Sequence, residues 1–305
     1  MKTRILTAIV LLSFLSILLC FYNYKFCLAV IIVISSLIQV EWEFLMRHSL
    51  FNTLNKNNLQ IDDNKHKKFD IIISIAMFIS NTFILFFILD FCIKKFDGLS
   101  VLVIVGLIGI LWLISSLTAL FKPIGSLSNL SKQFFYRILP NLTSIALVFS
   151  CVIILNHIWI GKISLLLFVL PLVWLTDSLA YFIGRKFGKR KLAANISPKK
   201  TFEGAIGGVL LANITIGILY YLNSGYFSVI LFMYFLGLSI LSVIGDLFQS
   251  RLKREFNIKD SSQLLPGHGG LFDRFDAAIP VILFAVYFPD YKILENIVKP
   301  ITGWI

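Results

Sequence analysis

Nine long apolar runs limit what this chain can fold into more than any other feature of its sequence. An α-helix needs roughly 17–25 mostly hydrophobic residues to cross the hydrocarbon layer of a membrane. Only 14% of the 305 residues are charged and 58% are hydrophobic, which excludes an ordinary soluble domain. The sequence therefore predicts an all-α, polytopic integral membrane protein with about nine transmembrane helices. The expected spans lie near residues 5–22, 26–46, 69–93, 99–121, 138–158, 163–184, 204–223, 226–248 and 277–297.

Lysine and arginine are distributed unevenly between the two sides of these spans. Cytoplasmic segments of membrane proteins hold the excess of positive charge, and 22 of the 28 Lys and Arg residues lie on one side if the N-terminus is inside. We therefore expect the N-terminus and a polar site in the cytoplasm, the C-terminus outside, and the chain in the inner (plasma) membrane of a bacterium. The net charge of +12 would attract anionic lipid headgroups and solutes. It does not by itself indicate a nucleic-acid partner.

The chain divides into two regions by where its polar residues lie, not by linker segments. Residues 1–160 are predicted to form N-terminal transmembrane helices, and residues 161–305 a C-terminal transmembrane catalytic region. An ionisable residue inside a span is costly and is a functional hypothesis by default, and Asp177 is such a residue near the cytoplasmic end of the sixth run. In the second run, Glu41 and Glu43 either belong to a structural pair with Arg47 or contribute to the site. The sequence leaves both interpretations open.

The first charged loop, residues 184–204, ends in the segment SPKKTFEG. We expect Ser197 to cap a helix whose first residue is Pro198, because the missing N–H of proline costs nothing at that position. The exposed amides of such a helix start, together with Lys199 and Lys200, would bind a phosphate group. The alternative is that these lysines only mark the cytoplasmic side. The loop lacks the glycine spacing of a nucleotide P-loop.

The second charged loop, residues 251–274, follows the eighth run. Asp246, Ser250 and Arg254 are four residues apart and therefore share one face of a helix, with Lys253 beside them. Asp246 could simply reach water at the end of the span. Without a function, however, a carboxylate directly after an apolar run would be an avoidable cost. This face is the first half of a predicted phosphate site.

The second half of that site is a glycine-rich turn. Asp273 and Asp276 are three residues apart, so a turn or helix start can direct both carboxylates the same way, and Gly269 and Gly270 let the backbone approach a ligand. Converging carboxylates repel one another unless a cation lies between them. Mg²⁺ suits such a site because one or two carboxylates hold it together with substrate phosphate oxygens. His268 is expected to contact phosphate or donate a hydrogen bond.

The segment from Ser250 to Asp276 resembles, throughout its length, the signature of the phosphatidate cytidylyltransferases, also called CDP-diacylglycerol synthases. The segments 177–181, 197–204 and 245–250 resemble family segments in the same order. The resemblance implies that CTP and phosphatidate in the bilayer give CDP-diacylglycerol and pyrophosphate, a step of phospholipid biosynthesis that requires Mg²⁺. It also implies a second, monovalent ion such as K⁺, and a homodimer.

This interpretation assigns roles to the candidate residues. The expected metal ligands are Asp246, Ser250, Asp273 and Asp276. The expected catalytic residues are Asp246, Asp273, Asp276 and Lys253. The expected substrate contacts are Asp177, Ser197, Lys200, Thr201, Glu203, Ser250, Arg254, Lys259, His268, Gly269, Gly270 and Arg274.

Two other functions fit parts of the pattern. A CTP-using lipid kinase could use the same charged face, but it would transfer the γ-phosphoryl group and release CDP. A transporter would place its polar groups at mid-membrane in broken helices related by a repeat. Here the polar groups gather at one cytoplasmic edge without an evident repeat, which favours an enzyme.

Overall fold

Nine helices and one small hairpin make up the part of the chain that the computed structural model describes. That part comprises residues 24–56, 63–95, 98–122, 126–128, 131, 134–159, 164–225, 229–255, 258–262, 264 and 269–287. The helices are α1 (Tyr24–Lys56), α2 (Asp63–Lys95), α3 (Gly98–Phe121), α4 (Leu139–Trp159), α5 (Ser164–Phe187), α6 (Phe202–Ser224), α7 (Val229–Glu255), α8 (Phe272–Phe275) and α9 (Ala278–Ala285). A short π-helical segment, Phe134–Ile138, leads into α4.

Six of these helices are long and apolar enough to cross a membrane. Their apolar segments are Phe26–Phe44, Ile72–Leu89, Leu99–Phe121, Phe168–Phe187, Phe202–Leu222 and Val229–Glu255. Helix α4 contains a shorter apolar segment, Leu139–Ile154. The all-α, multi-pass membrane architecture is thus confirmed. The count of nine is not, because the run at 5–22 lies outside the described residues and the run at 277–297 is described only to residue 287.

Apolar side chains lie on the outside of the bundle as well as in its core. Ile79, Phe83 and Phe87 on α2 are all more than 60% exposed, which would be unfavourable in water but suits contact with lipid tails. Inside, a polar contact joins α1 to α4, where Ser144 donates a hydrogen bond to Gln39 over 2.8 Å. Most of the core is nevertheless apolar, with buried side chains such as Trp42, Phe235 and Leu252, so the lipid-facing and core-facing surfaces are both mainly apolar.

Helices α5 and α6 pack closely because glycines face the contact. A Cβ atom at Gly204 would lie 2.6 Å from the carbonyl oxygen of Ala180, and one at Gly208 would lie 2.7 Å from that of Thr176. Small residues four apart allow helix backbones to approach in this way. The contact fixes the C-terminal half of α5, which carries Asp177, against the start of α6.

A two-stranded antiparallel hairpin connects these two helices. Strand β1 (Lys191–Ala193) pairs with β2 (Ser197–Thr201), with Lys191 opposite Thr201 and Ala193 opposite Ser197. The prediction that Ser197 caps a helix beginning at Pro198 was wrong. Pairing with β1 keeps this segment extended, and α6 begins only at Phe202.

Candidate active site

Thr201 makes the N-terminal cap that the sequence assigned to Ser197. Its backbone is extended, with φ −124° and ψ 153°, and its hydroxyl accepts a hydrogen bond from the N–H of Gly204 over 3.2 Å. Glu203 in the first turn accepts hydrogen bonds from the N–H groups of Lys189 and Arg190. Thr201 and Glu203 were both predicted to contact substrate. In the structure they also hold the hairpin and the start of α6 together.

Lys200 joins the hairpin to α7. Its ammonium group forms an ion pair with Asp246 Oδ2, and the other carboxylate oxygen of Asp246 accepts a hydrogen bond from Ser250 Oγ over 3.3 Å. The contact between Asp246 and Ser250 follows from their spacing of four residues on the helix. The two charged loops thus meet at the C-terminal end of α7.

Arg254, the next residue of that face, has backbone partners. Its Nε donates to the carbonyl oxygen of Ile196 over 3.3 Å, and its Nη1 donates to that of Ile258 over 3.1 Å. Arg254 therefore ties the end of α7 to the hairpin and to the start of the second loop. Lys259 and Arg274 are exposed, and His268 lies outside the described residues.

Asp273 is buried and surrounded by donors. Lys253 Nζ donates to Oδ1 over 2.9 Å, and the N–H groups of Ser261 and Gly270 donate to Oδ2 over 2.7 and 3.0 Å. Burial alone would raise the pKa of Asp273, but the hydrogen bonds from Lys253 and the backbone outweigh it and lower that pKa. The carboxylate is charged, orients Lys253 and closes the second loop.

Asp276 lies in a different environment, next to other acidic groups. Its Oδ1 accepts a hydrogen bond from the N–H of Ala277 over 2.7 Å. Burial and the negative charge of Asp246 raise its pKa, and Asp177 adds to the effect. A Cβ atom at Gly245 would lie 2.5 Å from the carbonyl oxygen of Asp276, so the glycine lets α7 approach this turn. Asp276 is therefore near enough to Asp246 and Asp177 for their negative charges to raise its pKa.

The donor chemistry of this acidic group suits a divalent cation. Among the described residues, no three His, Cys, Asp or Glu side chains are arranged to hold a metal ion. Mg²⁺ does not need three, because one or two carboxylates suffice when substrate phosphates and water complete the octahedron. Asp246 and Asp276 supply two carboxylates whose mutual repulsion a cation would relieve. Asp273 could join them only by exchanging its contact with Lys253.

Glu41 is the residue that sequence reasoning left unassigned. It lies on α1, its side chain is buried, and it accepts hydrogen bonds from Ser261, Ser262, Leu271 and Phe272. These partners are 220 to 231 positions away along the chain. The signal was a carboxylate inside an apolar span; its partners could not be found without the fold.

Most of the chain matches a known protein family. The sequence model of the cytidylyltransferase family matches residues 2–291. The chain belongs to this family. A phosphatidate cytidylyltransferase of Haemophilus influenzae is 47% identical over 129 residues, which are 41% of this chain and 45% of the relative. A phosphatidate cytidylyltransferase of Bacillus subtilis is 45% identical over 119 residues, which are 38% of this chain and 43% of the relative. The chain thus matches just under half the length of these curated relatives.

Proposed function

We propose that this protein transfers the cytidylyl group of CTP to phosphatidate, giving CDP-diacylglycerol and pyrophosphate. Family membership and the names of the relatives support this activity. The observation that carries the proposal is the meeting of Lys200, Asp246, Lys253 and Asp273 at the end of α7. Two lysines and a set of carboxylates at a membrane edge suit two phosphate-bearing substrates, one of them a lipid.

The proposed reaction needs little acid–base chemistry. An anionic phosphate oxygen of phosphatidate attacks the α-phosphorus of CTP, and the bond from that phosphorus to the bridging oxygen of the β-phosphate breaks. Pyrophosphate leaves with the electron pair, so no proton has to be moved. The main requirements are to bring two polyanions together and to stabilise the leaving group.

Lys200 and Lys253 supply positive charge for these phosphates. Both ammonium groups are partly buried and pair with aspartates, which holds them at the site before a substrate arrives. Bound at Asp246 and Asp276, with Ser250 beside Asp246, Mg²⁺ would neutralise charge on the phosphates and on the leaving pyrophosphate. Asp273 remains a predicted metal ligand. In the structure its carboxylate accepts a hydrogen bond from Lys253 and orients that ammonium group. A second, monovalent ion and a homodimer remain expectations from the family.

In this proposal, several residues predicted to contact substrate stabilise the structure of the site instead. Glu203 and Arg254 fix the hairpin that presents Lys200, and Gly269 and Gly270 shape the turn before Asp273. Ser197, Lys259, His268 and Arg274 stay predicted substrate contacts. The proposed orientation places this whole edge in the cytoplasm, where CTP is available.

Product analysis separates this reaction from the lipid kinase. Purified protein in phosphatidate-containing micelles is supplied with CTP labelled in the γ-phosphate and with Mg²⁺. Label released as pyrophosphate supports the proposal. Label transferred to lipid, with release of CDP, would contradict it and support the kinase. Substrate-dependent release of either product would also exclude simple transport.

A further inference from the structure

A buried carboxylate on α1 binds both described ends of the second loop. Glu41 is only 6% exposed and lies in the apolar segment Phe26–Phe44. From the first end of the loop, the hydroxyl of Ser261 donates to Oε2 over 3.1 Å and that of Ser262 donates to Oε1 over 2.7 Å. From the second end, the N–H of Leu271 donates to Oε1 over 2.9 Å and that of Phe272 donates to Oε2 over 2.7 Å.

These four contacts use the full capacity of a carboxylate. An ionised carboxylate accepts through both oxygens and donates nothing, so each oxygen of Glu41 receives one hydroxyl and one backbone N–H. Hydrogen bonds to a charged group contribute roughly twice as much as neutral ones. The arrangement compensates for burying a carboxylate in an apolar span, since all four of these partners are donors.

Asp273 binds the same two loop ends from the other side. It accepts from the N–H groups of Ser261 and Gly270, next to the groups that Glu41 holds. A Cβ atom at Gly270 would collide with Ser261 Oγ and Glu41 Oε2, so only glycine fits between the two carboxylates. The loop is therefore held between Glu41 on α1 and Asp273 with its partner Lys253 on α7.

The residue after Glu41 strengthens this contact. The indole of Trp42 stacks on Phe272 with ring centroids 5.1 Å apart, and it packs edge-on against Phe248 of α7 at 5.9 Å. Phe272 is the first residue of α8, which carries Asp273 and is followed directly by Asp276. The position of Phe272 thus decides where both aspartates lie relative to α7.

We propose that Glu41 is a positioning residue, which holds the start of α8 so that Asp273 and Asp276 face Lys253 and Asp246. The inference rests on the proposed function, and it assigns to the N-terminal helices a part in the reaction. Glutamine at position 41 would keep one acceptor oxygen and place an amide donor against the donors at Oε1 or Oε2. Two of the four contacts would be lost while the side-chain volume stayed the same.

The test compares E41Q with S144A in the full-length, membrane-extracted protein. Ser144→Ala, on α4, removes a buried hydrogen bond to Gln39, which lies on the same helix as Glu41. We expect E41Q to lower kcat by about tenfold to 100-fold, because misplacing reacting groups by ~1 Å costs on the order of 100-fold. We also expect a higher half-saturating Mg²⁺ concentration and faster amide exchange at residues 271–276. S144A should change kcat, the half-saturating Mg²⁺ concentration and the amide exchange rates at residues 271–276 by less than about twofold relative to wild type.

The outcomes separate a positioning role from a merely structural one. If E41Q only lowers the melting temperature, with kcat, Mg²⁺ dependence and amide exchange at 271–276 unchanged, the proposal is overturned. Should E41Q fail to fold, Ser262→Ala removes one donor from the partly buried end of the loop, and an unchanged Mg²⁺ dependence in that variant would equally contradict it. Wild type without cytidylyltransferase activity would defeat the proposed function. The anchoring of residues 271–276 would then still be decided by amide exchange, which needs no turnover.

Discussion

Asp276 is the acidic side chain whose environment most favours a cation. It is close enough to Asp246 and Asp177 for their charges to act on it. We predict that Asp276→Asn lowers kcat/KM at least ~100-fold, which is about 2.7 kcal/mol of lost transition-state stabilisation. Glu255→Gln is the matched control, because Glu255 pairs over 3.7 Å with Arg251 one turn earlier on α7 and has no part in the proposed site. Equal activity of the two variants would remove Asp276 from the site.

Single residues differ in how far the sequence could place them. The contact between Asp246 and Ser250 follows from helical spacing, so the sequence sufficed. The spacing of Asp273 and Asp276 could not reveal that Lys253 and two backbone N–H groups surround only the first of them. That difference depends on how the loop folds back onto α7.

The capping residue of α6 gives a prediction about one helix. Thr201→Ala should lower the free energy of unfolding by about 1 kcal/mol, because the N–H of Gly204 loses its acceptor. Thr201→Ser should keep most of the stability. Thr215→Ala serves as the control, since Thr215 is partly exposed and its hydroxyl donates to the carbonyl oxygen of Leu211 in the preceding turn of the same helix. Thermal unfolding in detergent measures all three, and equal loss in the two alanine variants would contradict the cap.

The close contact of α5 and α6 gives a second prediction of this kind. Gly208→Leu should destabilise the protein by about 1–3 kcal/mol, the usual cost of overpacking, because no space exists between Gly208 and Thr176. Gly237→Ala on α7 is the matched control. A Cβ there meets nothing within 4 Å, so alanine should be neutral or stabilise by up to about 1 kcal/mol. A stable Gly208→Leu variant would show that the two helices can separate.

Helices were easier to predict from the sequence than the segment between them. The described spans follow from the length and apolarity of each run, because the bilayer admits few alternatives to a helix. In the segment SPKKTFEG the sequence predicted a cap at Ser197, whereas Thr201 caps α6 in the structure. Pairing with Lys191–Ala193 keeps Ser197 in a strand, and a local pattern cannot include such a pairing.

The orientation of the whole molecule is a prediction from its charge distribution. In a cysteine-free background, Lys199→Cys should react with an impermeant thiol reagent only in inside-out vesicles, since Lys199 is exposed on the hairpin. Lys162→Cys, in a segment predicted to lie outside, should react only in right-side-out vesicles. The reverse pattern would place the phosphate site away from cytoplasmic CTP.

The most direct test of the account is the transfer of label from CTP to lipid. Purified wild-type protein and the Asp276→Asn variant are incubated with CTP labelled in the α-phosphate, with and without phosphatidate and Mg²⁺. We predict that wild type incorporates label into CDP-diacylglycerol only when both are present, and that the variant incorporates about 100-fold less. Incorporation that needs no phosphatidate, or that is unchanged in the variant, would contradict the proposed chemistry.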